Sequence, residues 1–88
     1  MADLPERLTD ASNDFLLTDL DIAFTFLEVA AVTGIEETRK RNHEKAHHVY
    51  QTVLRQLDTV SLEAPQRPAI NQKLALLKER LEKLGYRC

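Results

Sequence analysis

The 88-residue, 10.1 kDa chain is one small domain, and its size implies that only about 64% of the extended chain's surface is buried on folding. With 43% apolar and 30% charged residues it is too apolar for wholesale disorder, and it holds no apolar run of membrane-spanning length. Two Gly exclude a collagen, one Cys excludes a disulfide scaffold, and a net charge of −2 argues against a general polyanion binder.

The charge is unevenly spread. Residues 1–33 come to −6, whereas 34–57 and 58–88 each come to +2. Attraction between the elements of one fold, or across a symmetric oligomer, is the simplest use of that asymmetry. The first residues, Met1 to Arg7, show neither the basic flank and apolar core of a secretory signal nor transit-peptide character. Cys88, the lone thiol, suits a reducing compartment. A cytoplasmic protein is expected.

Residues 1–14 are polar, contain Pro5 and lack sustained periodicity, which predicts a mobile arm with at most one short extra turn of helix, and a domain over 15–88. Thr18-Asp19-Leu20-Asp21 has the layout of an N-cap followed by first-turn acids. Beyond it Leu20, Ala23, Phe24, Leu27, Ala31 and Ile35 draw one apolar stripe along a helix. Ile22, Phe24 and Phe26 also alternate as a strand would, but a lone strand would leave its backbone groups unpaired, so a helix is preferred. Gly34 interrupts the pattern. Either a second helix opens at Thr33, or the first runs through Gly34 and ends in the polar run Thr38 to Asn42; the second option is preferred, giving a helix over about 18–40.

From His43, the spacing of Ala46, Tyr50, Val53, Leu57 and Val60 predicts an amphipathic helix over about 43–60. Pro65 and Pro68 mark a loop and the first turn of the next helix. Ile70, Leu74, Leu77, Leu81 and Leu84 define a last helix over about 68–84, with cations near its end and Gly85 placed to take a left-handed cap position. The fold class expected is all-α: a small antiparallel three-helix bundle, with a possible short extra N-terminal helix.

The sharpest local motif is His43-Glu44-Lys45-Ala46-His47. In zinc hydrolases this H-E-x-x-H spacing sets two imidazoles one turn apart to hold the metal, with the Glu beside them to activate water. Such a site needs a third ligand. Tyr50 and Val53 stand where an extended zincin motif requires Gly and His, and Glu63 lies in a Pro-rich stretch. The expectation is therefore a solvated helix face with no metal, no catalytic residue and no cofactor, a zinc hydrolase being the alternative. Arg39, Lys40 and Arg41 form the main basic cluster, diluted by Glu36, Glu37 and Glu44 and without interleaved aromatics. A small nucleic-acid-binding regulator is a second alternative, and nucleic acid is not the expected partner.

The apolar excess of the first helix is more informative. At about 100° per residue, Phe24 and Phe26 point about 200° apart, so both cannot face one core. Ile22, Phe26 and Val29 form a second stripe, with Phe15, Leu16 and Leu17 adding apolar bulk upstream. Either the upstream arm folds back to hide this stripe, or a second chain covers it. The second option is preferred, which makes Phe15, Leu16, Ile22, Phe26 and Val29 the candidate partner-binding residues of a homodimer or of a site for a partner helix.

Asn42-His43-Glu44-Lys45-Ala46 followed by Tyr50 and Leu54 resembles the second helix of tetratricopeptide-type and microtubule-interacting-and-transport hairpins, where a polar turn leads to a small residue and then an aromatic. Ile70 to Leu84 is similar to the third helix of the latter, and Ala23 and Ala30 are the matching small residues of the first. The resemblance implies a non-catalytic module that takes a partner helix or peptide into a groove.

Overall fold

The computed structural model describes the backbone of residues 3–88 and the side chains from Asn13 onward. Helices α1 (Asp3–Val32), α2 (Glu36–Gln56) and α3 (Arg67–Lys83) form an antiparallel three-helix bundle, with a short 3-10 turn over Leu57–Thr59 after α2. Among the described residues there is no strand, and Ile22 to Phe26 lie in the middle of α1.

Helix α1 begins at Asp3 rather than near Thr18. Pro5 falls among the first backbone positions of the helix, which have no hydrogen-bond acceptor one turn earlier, so its missing N–H costs nothing. No Gly or Pro stands between it and Gly34, and propagation of a started helix is favourable. The expected arm over 1–14 is thus helical from Asp3; Met1, Ala2 and the side chains through Ser12 lie outside the described residues. The expected domain boundary at residue 15 also moves, because Asn13 is buried and its amide donates to Gln66 Oε1 at 3.3 Å, just before α3.

The chain turns over Thr33, Gly34 and Ile35 instead of continuing through Gly34 as one helix to residue 40. Thr33 N–H closes the last turn of α1 on Val29 O at 3.0 Å, and Thr33 Oγ1 accepts from Ile35 N–H at 3.2 Å. Helix α2 therefore starts at Glu36, ahead of the expected His43, with Glu36 and Glu37 at its positive end and Arg55 in its last turn. Helix α3 ends as its sequence indicates. Gly85, at φ 98°, donates to Glu82 O at 3.0 Å and Tyr86 N–H donates to Leu81 O at 3.1 Å, which is the Schellman arrangement with glycine in the left-handed position.

The core is one cluster. Leu16, Leu20 and Leu27 from α1 meet Tyr50 and Val53 from α2 and Ile70, Leu74, Leu77 and Leu81 from α3. Ala23 and Ala46 are fully buried, small residues where helices come close. Arg67 donates to Val60 O at 2.8 Å and to Asn71 Oδ1 at 3.0 Å, tying the long link to the start of α3. The result is a rod of 53 × 19 × 16 Å. Its exposed surface of 6137 Å² exceeds the roughly 5,300 Å² of a rounder protein of this mass.

Candidate functional site

The inner face of α1 is Asn13, Leu16, Leu20, Ala23, Leu27 and Ala30, at alternating steps of three and four, and all are buried. Leu16 therefore leaves the predicted partner-binding set: it is 4% exposed, one turn before Leu20 on the same stripe, and belongs to the core. The other predicted residues lie outside that face. Phe15, Ile22 and Val29 are 69%, 42% and 40% exposed. They recur every seventh residue, a spacing that drifts by only about 20° per step on an α-helix, so they line up along the rod. In the sequence, Leu8 stands one further step of seven before Phe15.

Phe26 is half-buried beside this line, on the α2 side. Lys45 Nζ lies 5.5 Å from its ring centre, within cation–π range. Phe26, Arg41, Glu44, Lys45, His48 and Val49 line an open hollow of about 340 Å³ between α1 and α2. Phe24 leans to the opposite flank, where the Arg80 guanidinium lies 5.7 Å from its ring centre. Each Phe thus covers one side of the core, and the uncovered apolar line is Phe15, Ile22 and Val29.

Charge brackets that line. On its α3 side run Asp14, Asp21 and Glu28, again seven apart; Asp21 pairs with Lys73 and Asp14 Oδ1 accepts from Gln66 at 3.4 Å. On its α2 side stand Arg41 and Lys45, with Glu44 between them. Because α1 is a single uninterrupted helix from Asp3 to Val32, the upstream arm does not fold back over the line.

No family model, curated protein or solved structure matches the chain. Function must be read from the surface itself.

His43 and His47 lie one helical turn apart on α2, but they face different surroundings. The His47 ring packs on Tyr86 with centroids 4.7 Å apart, and its Nε2 is 3.2 Å from Arg87 O. His43 opens instead on a cleft at the end of the bundle, shared with Arg39, Arg80 and Lys83. Among the described residues no three His, Cys, Asp or Glu side chains gather at metal-binding distance. Among them, too, no helix is long and apolar enough to cross a membrane.

The basic run divides in the same way, because successive residues on a helix point about 100° apart. Arg39 folds back on the end of α1, donating to Ala30 O at 3.3 Å and Thr33 O at 2.9 Å, and pairs with Glu36 at 2.6 Å. Arg41 lines the hollow beside Phe26, on the other side of α2. The cleft holding Arg39, His43, Arg80 and Lys83 is not evident in the sequence, since it joins residues from α2 and α3 that are far apart along the chain.

Proposed function

We propose that this protein is a non-catalytic helical interaction module that pairs with a second copy of itself through the outer line of α1. One observation carries the reading: an unbroken α1 leaves Phe15, Ile22 and Val29 in register and exposed, with no other segment of the described chain folded over them. Full burial of an exposed side chain of this kind stabilises by about 1.5–3 kcal/mol, and the fraction still exposed, 69% at Phe15 and 42% and 40% at Ile22 and Val29, is what a partner can add to.

Charge supports a second copy as the occupant. In a two-fold pair with the two α1 helices parallel, the acidic edge of one copy, where Glu28 is free of any ion pair with a described residue and Asp21 pairs with Lys73, lies over the edge of the other on which Arg41 and Lys45 outnumber Glu44. The interface is self-complementary, as a two-fold requires. An interaction role is also what the likeness to tetratricopeptide-type and microtubule-interacting-and-transport hairpins suggests, although here the contact is a helix face rather than a groove.

Sedimentation equilibrium at micromolar to tens of micromolar concentration tests the reading. The wild-type chain is expected to be a dimer, and Ile22→Glu a monomer with an unchanged far-ultraviolet circular dichroism spectrum. A wild-type chain that stays monomeric across that range would overturn self-association.

A further inference from the structure

The end of the rod where α1 stops, α2 starts and α3 stops carries a second feature, independent of the α1 line. Leu27, Ala30, Ala31 and Leu84 floor and wall a cleft of about 450 Å³ into which Arg39, His43, Arg80 and Lys83 also face. That volume lies within the range of small-ligand sites. Its lining holds three cations and an imidazole but no carboxylate.

The cations are not equally engaged. Arg39 is committed to the carbonyl groups of Ala30 and Thr33 and to Glu36, so it forms a rigid wall. Lys83 meets Glu79 at 3.2 Å in a pair that is largely exposed, the kind of contact that contributes little. Among the described residues no carboxylate lies within ion-pair distance of Arg80, whose guanidinium rests against Phe24. Two adjacent cations of α3 thus stand at the rim of a cleft whose floor is alanine and leucine methyl groups.

We propose that this cleft binds a small organic monocarboxylate. Its head is held by Arg80 and Lys83 beside His43, and its short apolar body lies on Ala31 and Leu84, the exposed apolar residues of the lining. The planar guanidinium matches a carboxylate in a two-point contact, and an apolar floor favours a ligand with a hydrocarbon body over a bare anion.

The test is amide-resolved NMR titration of the full chain with hexanoate, inorganic phosphate and hexanol in low-salt buffer. Hexanoate is expected to shift the signals of Ala30, Ala31, His43 and Leu84 saturably. Phosphate, which lacks the body, and hexanol, which lacks the head, are expected to bind at least about tenfold more weakly. Arg80→Gln combined with Lys83→Gln is expected to weaken hexanoate about tenfold or more. Ala31→Glu, at an exposed helix position, puts a carboxylate in the cleft and is expected to abolish binding while the circular dichroism spectrum is retained.

Three results would each overturn the proposal: phosphate or hexanol binding as tightly as hexanoate, hexanoate shifts centred on Phe15 and Ile22, or an affinity that neither variant changes. The cleft variants lie off the α1 line, so the affinity they report and the oligomeric state are read separately, and the cleft and the α1 interface stand or fall separately.

Discussion

The Arg39 guanidinium reaches back across the turn between α1 and α2 and donates to Ala30 O at 3.3 Å, with a second N–H on Thr33 O at 2.9 Å. The last carbonyls of a helix have no partner within it, and a cation there also meets the negative end of the helix dipole. Arg39→Met keeps much of the stem and removes these bonds, so it is expected to lower unfolding free energy by about 1–3 kcal/mol. Arg41→Met, exposed on the other side of α2, is expected to change it by less than about 0.5 kcal/mol. Urea unfolding of the two variants side by side checks the contrast.

The two glycines should respond in opposite ways. Gly85 sits at φ 98°, where a side chain is strained whatever space surrounds it, and Gly85→Ala is expected to cost about 1–2 kcal/mol. Gly34 has no positive φ and no atom within 4 Å of an added Cβ. Gly34→Ala is therefore expected to be neutral or to stabilise by up to about 1 kcal/mol, by restricting the unfolded chain. Thermal unfolding of both variants gives the sign directly.

These two ends also show what is legible in the sequence. The last helix and its cap are readable because everything that forms them is local: a leucine repeat, then Gly85. The turn at Gly34 is not, because its fastening is not local: an arginine on the next helix bonds to carbonyls of the previous one. Leu16 moves from the outer face to the core because a helix started at Thr18 leaves it outside the periodic frame, whereas in the continuous α1 it falls in step with Leu20. The exposed line of Phe15, Ile22 and Val29 is visible as an excess of apolar circumference. The cationic cleft is not, because it exists only once α2 and α3 meet.

Adjacent residues on α1 should separate stability from assembly. Leu16 is packed in the core, and Leu16→Ala is expected to destabilise by about 2–5 kcal/mol. Phe15, its neighbour, is 69% exposed, so Phe15→Ala removes little that folding of one chain requires. At concentrations where the protein is a monomer, Phe15→Ala is expected to change unfolding free energy by less than about 0.5 kcal/mol. Chemical unfolding at high dilution distinguishes the two.

Tyr50 should impose an alkaline limit on stability. Burial raises its phenol pKa above the usual value of 10.0, with Cys88 and Glu82 adding to the shift. The neutral phenol is therefore favoured in the fold, and the stabilisation is fully present below the unfolded value and is lost as pH rises through the folded one. Unfolding free energy is expected to be insensitive to this group at neutral pH and to fall above about pH 10. Tyr50→Phe is expected to reduce that alkaline slope, as measured by denaturant unfolding across the range together with phenolate absorbance.

Glu28 and Lys45 test the parallel arrangement of the proposed dimer more sharply than loss of an apolar side chain does. They lie on opposite sides of the Phe15, Ile22 and Val29 line, so within one chain they do not face each other, but across the two-fold they are on facing edges. Glu28→Lys alone and Lys45→Glu alone each place like charges across the interface and are expected to weaken self-association. Mixing the two single variants should make both edges attractive again. On one edge the introduced lysine meets the introduced glutamate, and the other keeps the native pairing of Lys45 with Glu28. Sedimentation of the mixture is expected to show a heterodimer tighter than either variant homodimer and close to the wild type, with an advantage that shrinks as salt rises. An antiparallel pair would instead set acidic edge against acidic edge and basic against basic in the wild type itself. Each single substitution would then leave self-association unweakened, and the mixed pair would exceed the wild type instead of returning to it.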